Sequence, residues 1–160
     1  MKKLMGLAVF IAVLIVPAAL AQNIQCNGGS CQGTGSADTI TGTGAFDSIY
    51  SWGGNDTVDA RAGADVIQLY DGADYAEGDD GDDWLYGEQH DDELHAGEGA
   101  NHLLGGSGND KLYAVNGNVN DYLDGGNDVD VVCRGDWDDS SGQHDDMNNC
   151  DNNVTWNHIP

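Results

Sequence analysis

The chain has 160 residues and carries 28 Asp and Glu against 5 Lys and Arg, a formal charge of −23 that excludes a nucleic-acid binder working by phosphate neutralisation and disfavours anionic membrane surfaces. Of the acids 24 are Asp, and with 24 Gly and 14 Asn they leave too little helix-forming material for a bundle. An excess of Asp over Glu points to turns and to metal ligation, where a short carboxylate fits, and the length suits one domain.

In chain order the first element is an address. Lys2 and Lys3 precede an apolar run over residues 4–16, then Pro17 and Ala19-Leu20-Ala21 before Gln22. A basic start, an apolar middle and a small-x-small end predict a signal peptide over residues 1–21. The run is too short for a transmembrane anchor and no second one follows, so the chain is expected to be secreted, extracellular or periplasmic, without a membrane span. Four cysteines allow three connectivities. Cys26 lies close to Cys31 and Cys133 to Cys150, and local pairing is expected because an end-to-end bridge would need the termini to meet. A zinc site is disfavoured, since no C-x2-C pair exists and an exported chain meets an oxidising compartment. Residues 22–32 and 134–160 therefore read as disulfide-closed caps on a central segment, 33–133.

That segment is a repeat. Asp38, Asp47, Asp56, Asp65, Asp74, Asp83, Asp92, Asn101 and Asp110 follow at steps of nine residues. Two places after each lies an apolar residue: Ile40, Ile49, Val58, Ile67, Ala76, Leu85, Leu94, Leu103 and Leu112. Gly54, Gly72, Gly81 and Gly108 stand two places before their acids. After a two-residue insertion the period resumes with Asp121 and Leu123, then Asp130 and Val132. A disordered Gly/Asp linker would account for the composition, but not for two residue types locked to one period.

The segment GGSGNDKLY (105–113) matches G-G-x-G-x-D-x-U-x in full. Over residues 33 to about 133 the chain thus resembles the RTX, or haemolysin-type, calcium-binding repeat proteins. The resemblance implies ions between neighbouring turns, held by Asp carboxylates and by carbonyls of Gly-rich positions such as Gly105, Gly106 and Gly108.

The physics of the repeat leads the same way. A Gly-rich turn followed by a short strand with one inward residue makes half a coil, so two repeats close one coil of an all-β, parallel β-roll, a solenoid with capped ends. Coils stack at about 4.8 Å. One column of turns then holds Asp38, Asp56, Asp74, Asp92 and Asp110, and the other Asp47, Asp65, Asp83 and Asn101. Like charges so stacked repel unless a divalent ion lies between them, and calcium, with six to eight oxygen ligands, suits carboxylates and carbonyls. Several ions are expected. His90, Ser36 and Ala45 replace the glycine before the acid, and Asn101 lacks the charge, so sites at both ends and around Asn101 should be the poor ones.

Enzyme signatures are absent, and no catalytic residue is assigned. HDDELH (90–95) has its Glu in the wrong place for H-E-x-x-H, and Arg134-Gly135-Asp136 spells RGD, a match too short to carry weight. The outward positions of one sheet are aromatic. Tyr50, Trp84 and Tyr86 are either cross-strand packing or a contact surface for a glycan or cell-surface partner. The chain reads as an exported calcium-binding repeat protein that folds with calcium and serves a structural or adhesive role. The alternative is a calcium-dependent carbohydrate or surface binder.

Overall fold

The computed structural model describes residues 20–117, 120–127, 132–138, 143–150 and 155–159. Residues 1–19 of the expected leader, and Asp130, lie outside them. The nine-residue period closes two repeats into one coil, and strands pair in parallel with partners 18 residues on. One sheet contains Asn23–Gln25, Thr39–Thr41, Thr57–Asp59, Tyr75–Glu77, Glu93–His95, Lys111–Tyr113 and Val132–Asp138 in that order. The second contains Gly29–Gln32, Asp47–Tyr50, Val66–Asp71, Trp84–Gln89, His102–Ser107, Tyr122–Asp124 and Asp146–Asn148. Among the described residues there is no helix. The chain is an all-β parallel solenoid.

The core is the row of middle-strand residues. Ile40, Val58, Ala76, Leu94 and Leu112 align across the first sheet, and Ile49, Ile67, Leu85, Leu103 and Leu123 across the second. All are buried. A second inward row, four places after each acid, was not legible from the period. It holds Ser51, Ala60, Leu69, Ala96 and Ala114, with glycines elsewhere. Leu69 apart, it stays small, and at Gly42 the neighbouring coil presses on it: a Cβ there would overlap the carbonyl oxygen of Ala60.

Both local disulfides form, with Cα–Cα distances of 5.5 Å for Cys26–Cys31 and 5.8 Å for Cys133–Cys150. The segments read as caps also carry strands in register with the roll, Asn23–Gln25 on Thr39–Thr41 and Asp146–Asn148 on Tyr122–Asp124. One expectation is corrected. Cys133, not Val132, takes the inward place beside Leu112, and Val132 aligns with the outward Lys111. A one-residue slip exchanges the faces of a strand, and this register buries the half-cystine that must reach Cys150. Thr155–Ile159 runs alongside Val132–Asp138 and closes that end.

Candidate metal centre

The acids before each strand form two stacks. In the first column Asp38, Asp56, Asp74 and Asp92 each donate their backbone N–H to Oδ1 of the Asp one coil on, at 2.7, 2.7, 2.8 and 2.9 Å. In the second, Asp47 and Asp65 donate to Asp65 and Asp83 at 2.7 Å, Asp83 to Asn101 at 2.8 Å and Asn101 to Asp121 at 2.7 Å. Every acid in these columns is buried. In Asp56, Asp65, Asp74, Asp83 and Asp92 Oδ1 thus holds the stack while Oδ2 has no protein partner; in Asp47 Oδ2 accepts from Thr43 N at 2.7 Å and Thr43 Oγ1 at 2.8 Å, and Oδ1 has none. A buried carboxylate oxygen left bare is costly, so these atoms ask for a cation.

The side chains of Arg61, Lys111 and Arg134 do not supply it. Arg61 lies 3.9 Å from Asp59, Lys111 pairs with Glu93 at 2.9 Å, and Arg134 lies over the Tyr113 ring at 5.3 Å. Among the described residues no three His, Cys, Asp or Glu side chains are grouped to hold an ion. Beyond the carboxylates a ligand set needs main-chain carbonyls or waters, and the turns bring carbonyls close. Gly81 has φ 153°, and a Cβ there would overlap the carbonyl oxygen of Gly63 one coil back. Gly72 stands in the same relation to Gly54, and Gly108 to His90. Gly63 and Gly99 share this place in the turn and were overlooked in the sequence. His90 keeps the turn by adopting φ 74° itself, so its side chain does not break the column. Ahead of Asp110, a Cβ on Gly105 would meet the Asp110 carboxylate, and one on Gly106 the carbonyl oxygen of Glu88.

The ends differ. Asp38 has both oxygens taken, by the N–H of Gln22 at 2.7 Å and of Thr34 at 2.6 Å. Asn101 turns its Nδ2 toward the carbonyl of Gly97, 3.4 Å away. Asp121 takes its column place but receives Asn116 Nδ2 on Oδ2 at 3.1 Å. Two buried acids were missed. Asp145 continues the second column, with Oδ1 3.1 Å from Asp121 N, and the signal was the D-x-apolar step of Asp145 and Met147 beyond a long insertion. Asp136 is buried and accepts from Asn116 N at 2.9 Å, Gly117 N at 2.6 Å and Asn157 Nδ2 at 2.8 Å, so the RGD triplet does not present its carboxylate.

Burial dominates the titration of the columns. It pushes the carboxyl of Asp74 up to about 6, Asp83 to about 7 and Asp92 to about 8, against donated backbone hydrogen bonds that lower them and neighbouring acids that raise them further. Asp56 and Asp65 are raised for the same first cause. Hard oxygen donors, paired negative charge and irregular main-chain geometry fit calcium.

On the outer face of the second sheet, Trp84 stacks on His102 with centroids 4.0 Å apart and lies 6.2 Å from Tyr86. Tyr50 is two strands away, with Gln68 between it and Tyr86. The first sheet carries its own ring row, Tyr75, His95 and Tyr113, with centroids 5.2 and 4.6 Å apart.

No curated protein and no solved structure matches the chain. The model of the RTX calcium-binding nonapeptide repeat (4 copies) matches residues 32–67, 70–103 and 89–118, which together span more than half of the chain. With that match over the turns that bear the bare carboxylates, the chain belongs to the RTX calcium-binding nonapeptide repeat family.

Proposed function

We propose that this is an exported calcium-binding repeat protein whose roll forms with calcium and acts as a structural or adhesive module outside the cytoplasm. Residues 1–21 serve as the leader and 33–133 as the calcium-binding roll, flanked by the disulfide-closed segments 22–32 and 134–160. The observation that carries this is the set of buried, partnerless carboxylate oxygens on Asp47, Asp56, Asp65, Asp74, Asp83 and Asp92. Their carboxylates, with Asp110 and the carbonyls of Gly54, Gly63, Gly72, Gly81, His90 and Gly108, would hold the ions. Bound calcium supplies the positive charge that lets neighbouring turns of one column stack. Titration calorimetry tests it. Calcium is expected to bind at several sites with dissociation constants on the order of 10⁻⁴–10⁻³ M, while magnesium, which demands a regular octahedron, does not replace it. Equal heats for the two ions would contradict the assignment.

A second reading rests on Trp84, 41 % exposed on the outer face of the second sheet. With Tyr86 and His102 it makes a flat ring surface suited to a sugar face or a partner protein, which would exist only in the folded, calcium-loaded roll. Trp84→Thr/Tyr86→Thr keeps strand propensity. The double variant should fold with calcium and lose retention on a glycan array. Unchanged retention makes the rings packing alone.

A further inference from the structure

One place in the second column is built differently from the rest. In several turns the residue five places before the acid faces the carboxylate of its own turn. At this place a Cβ on Gly78 would meet Asp83 Oδ2, and one on Gly87 would meet Asp92 Oδ2. The other occupants, Gly33, Gly42, Ser51, Ala60, Leu69, Ala96 and Gly105, carry no amide. Before Asp121 the occupant is Asn116. Its Nδ2 lies 2.8 Å from the carbonyl oxygen of Gly97, 3.3 Å from that of Gly99 and 3.1 Å from Asp121 Oδ2. Gly97 and Gly99 belong to the preceding turn of the same column, the turn that ends in Asn101. One nitrogen is therefore surrounded by two main-chain carbonyls of one turn and a carboxylate oxygen of the next, the same kinds of oxygen that are proposed above to hold an ion in the other gaps.

We propose that the side-chain amide of Asn116 takes the place of the cation between the Asn101 and Asp121 turns, so that this gap is held without metal. The inference rests on the calcium reading of the other gaps. Charge supports it. Where the column places two carboxylates across a gap, a divalent ion balances them. Here Asn101 is neutral, one carboxylate remains, and a neutral amide with two N–H donors meets the demand. The backbone N–H groups of Asn116 and Gly117 are tied in turn to Asp136, which fixes the amide from behind. The position is a selectivity device: it sets how many ions the column takes, and it leaves the C-terminal end of the roll ordered when calcium is scarce.

Two measurements on the full chain test this. Native mass spectrometry in calcium counts ions for the wild type, Asn101→Asp and Asn101→Asp/Asn116→Gly. The single variant improves the gap toward Asp83 but leaves the amide in place. The double variant opens the gap, and it is expected to hold one ion more than the single variant. Equal counts in the two variants, with ions bound by the wild type, overturn the inference alone; a wild type that binds no calcium overturns the calcium reading and this inference with it. Hydrogen exchange in chelator is the second arm, and it does not require the glycine variant to fold. Amides of residues 97–117 and 121–124 should be protected in the wild type, and the isosteric Asn116→Asp, which sets a carboxylate against Asp121 and two carbonyls, should speed their exchange by about tenfold or more. Wild-type amides there that exchange as fast as those of residues 38–74 contradict a metal-free joint.

Discussion

In chelator the protein is expected to lose most of its far-UV β signal, and calcium should restore it cooperatively. The cause is the balance of terms within each coil. The first inward row offers one aliphatic side chain per nine residues, in one repeat only the methyl of Ala76, and the second row adds little beyond Leu69. Against this stand the ordering of a Gly-rich chain and the stacking of buried acids with bare oxygens. The turns add strain. Where the consensus has its second glycine, Trp52, Arg61, Tyr70, Asp79 and Glu88 are held at φ between 68° and 79°. Each such residue costs about 1–2 kcal/mol. Binding to the folded state alone offsets these costs by mass action. What survives in chelator should lie at the Cys133–Cys150 end. The pH dependence has a defined sign. A carboxyl raised from 3.8 to about 6, 7 or 8, as in Asp74, Asp83 and Asp92, holds its proton more tightly folded than unfolded. Its protonation favours the metal-free roll at acid pH, and that support is lost as pH rises through the folded values. In chelator more β signal should remain at pH 5 than at pH 8. With calcium the trend reverses, because protons compete for the same oxygens and the calcium midpoint rises as pH falls. Indistinguishable spectra with and without chelator at pH 8 would count against the account.

The second large effect separates acids that look alike in the sequence. Asp74→Ala and Asp83→Ala should each raise the calcium midpoint by roughly tenfold, worth about 1.4 kcal/mol. Each has a bare Oδ2 and also anchors the preceding coil through Oδ1. Asp38→Ala should shift the midpoint by less than about twofold, because both its oxygens are already satisfied by Gln22 and Thr34. Titrations followed by circular dichroism distinguish the three, and equal shifts would mean that the columns do not work as ladders.

Much of this was legible because a nine-residue period closes an 18-residue coil, so the position of Asp56 in the sequence already fixes its neighbours as Asp38 and Asp74. The paired cysteines were legible for a similar reason, since each couple is local. Legibility ended where insertions hide the period. From Asn101 to Asp121 the step is 20 residues and from Asp121 to Asp145 it is 24. The expected continuation at Val132 fell one residue short of Cys133, and Asp145 and Met147 were left in a cap. Nor could spacing show which oxygens are spent. Asp38, Asp74 and Asp121 share one motif position, yet only the folded chain shows Thr34 on the first, nothing on Oδ2 of the second and Asn116 on the third.

If calcium binds as proposed, ions lie between neighbouring turns of each column, held by the bare Asp oxygens and by carbonyls of the glycine positions. A crystal structure of the protein grown in calcium, with anomalous data, tests it most directly. Peaks are expected between successive turns from Asp56 to Asp110 and from Asp47 to Asp83, each within about 2.3–2.6 Å of a column carboxylate and of main-chain carbonyls, and none between the Asn101 and Asp121 turns. Peaks confined to the outer acidic surface, with the column carboxylates untouched, would contradict it.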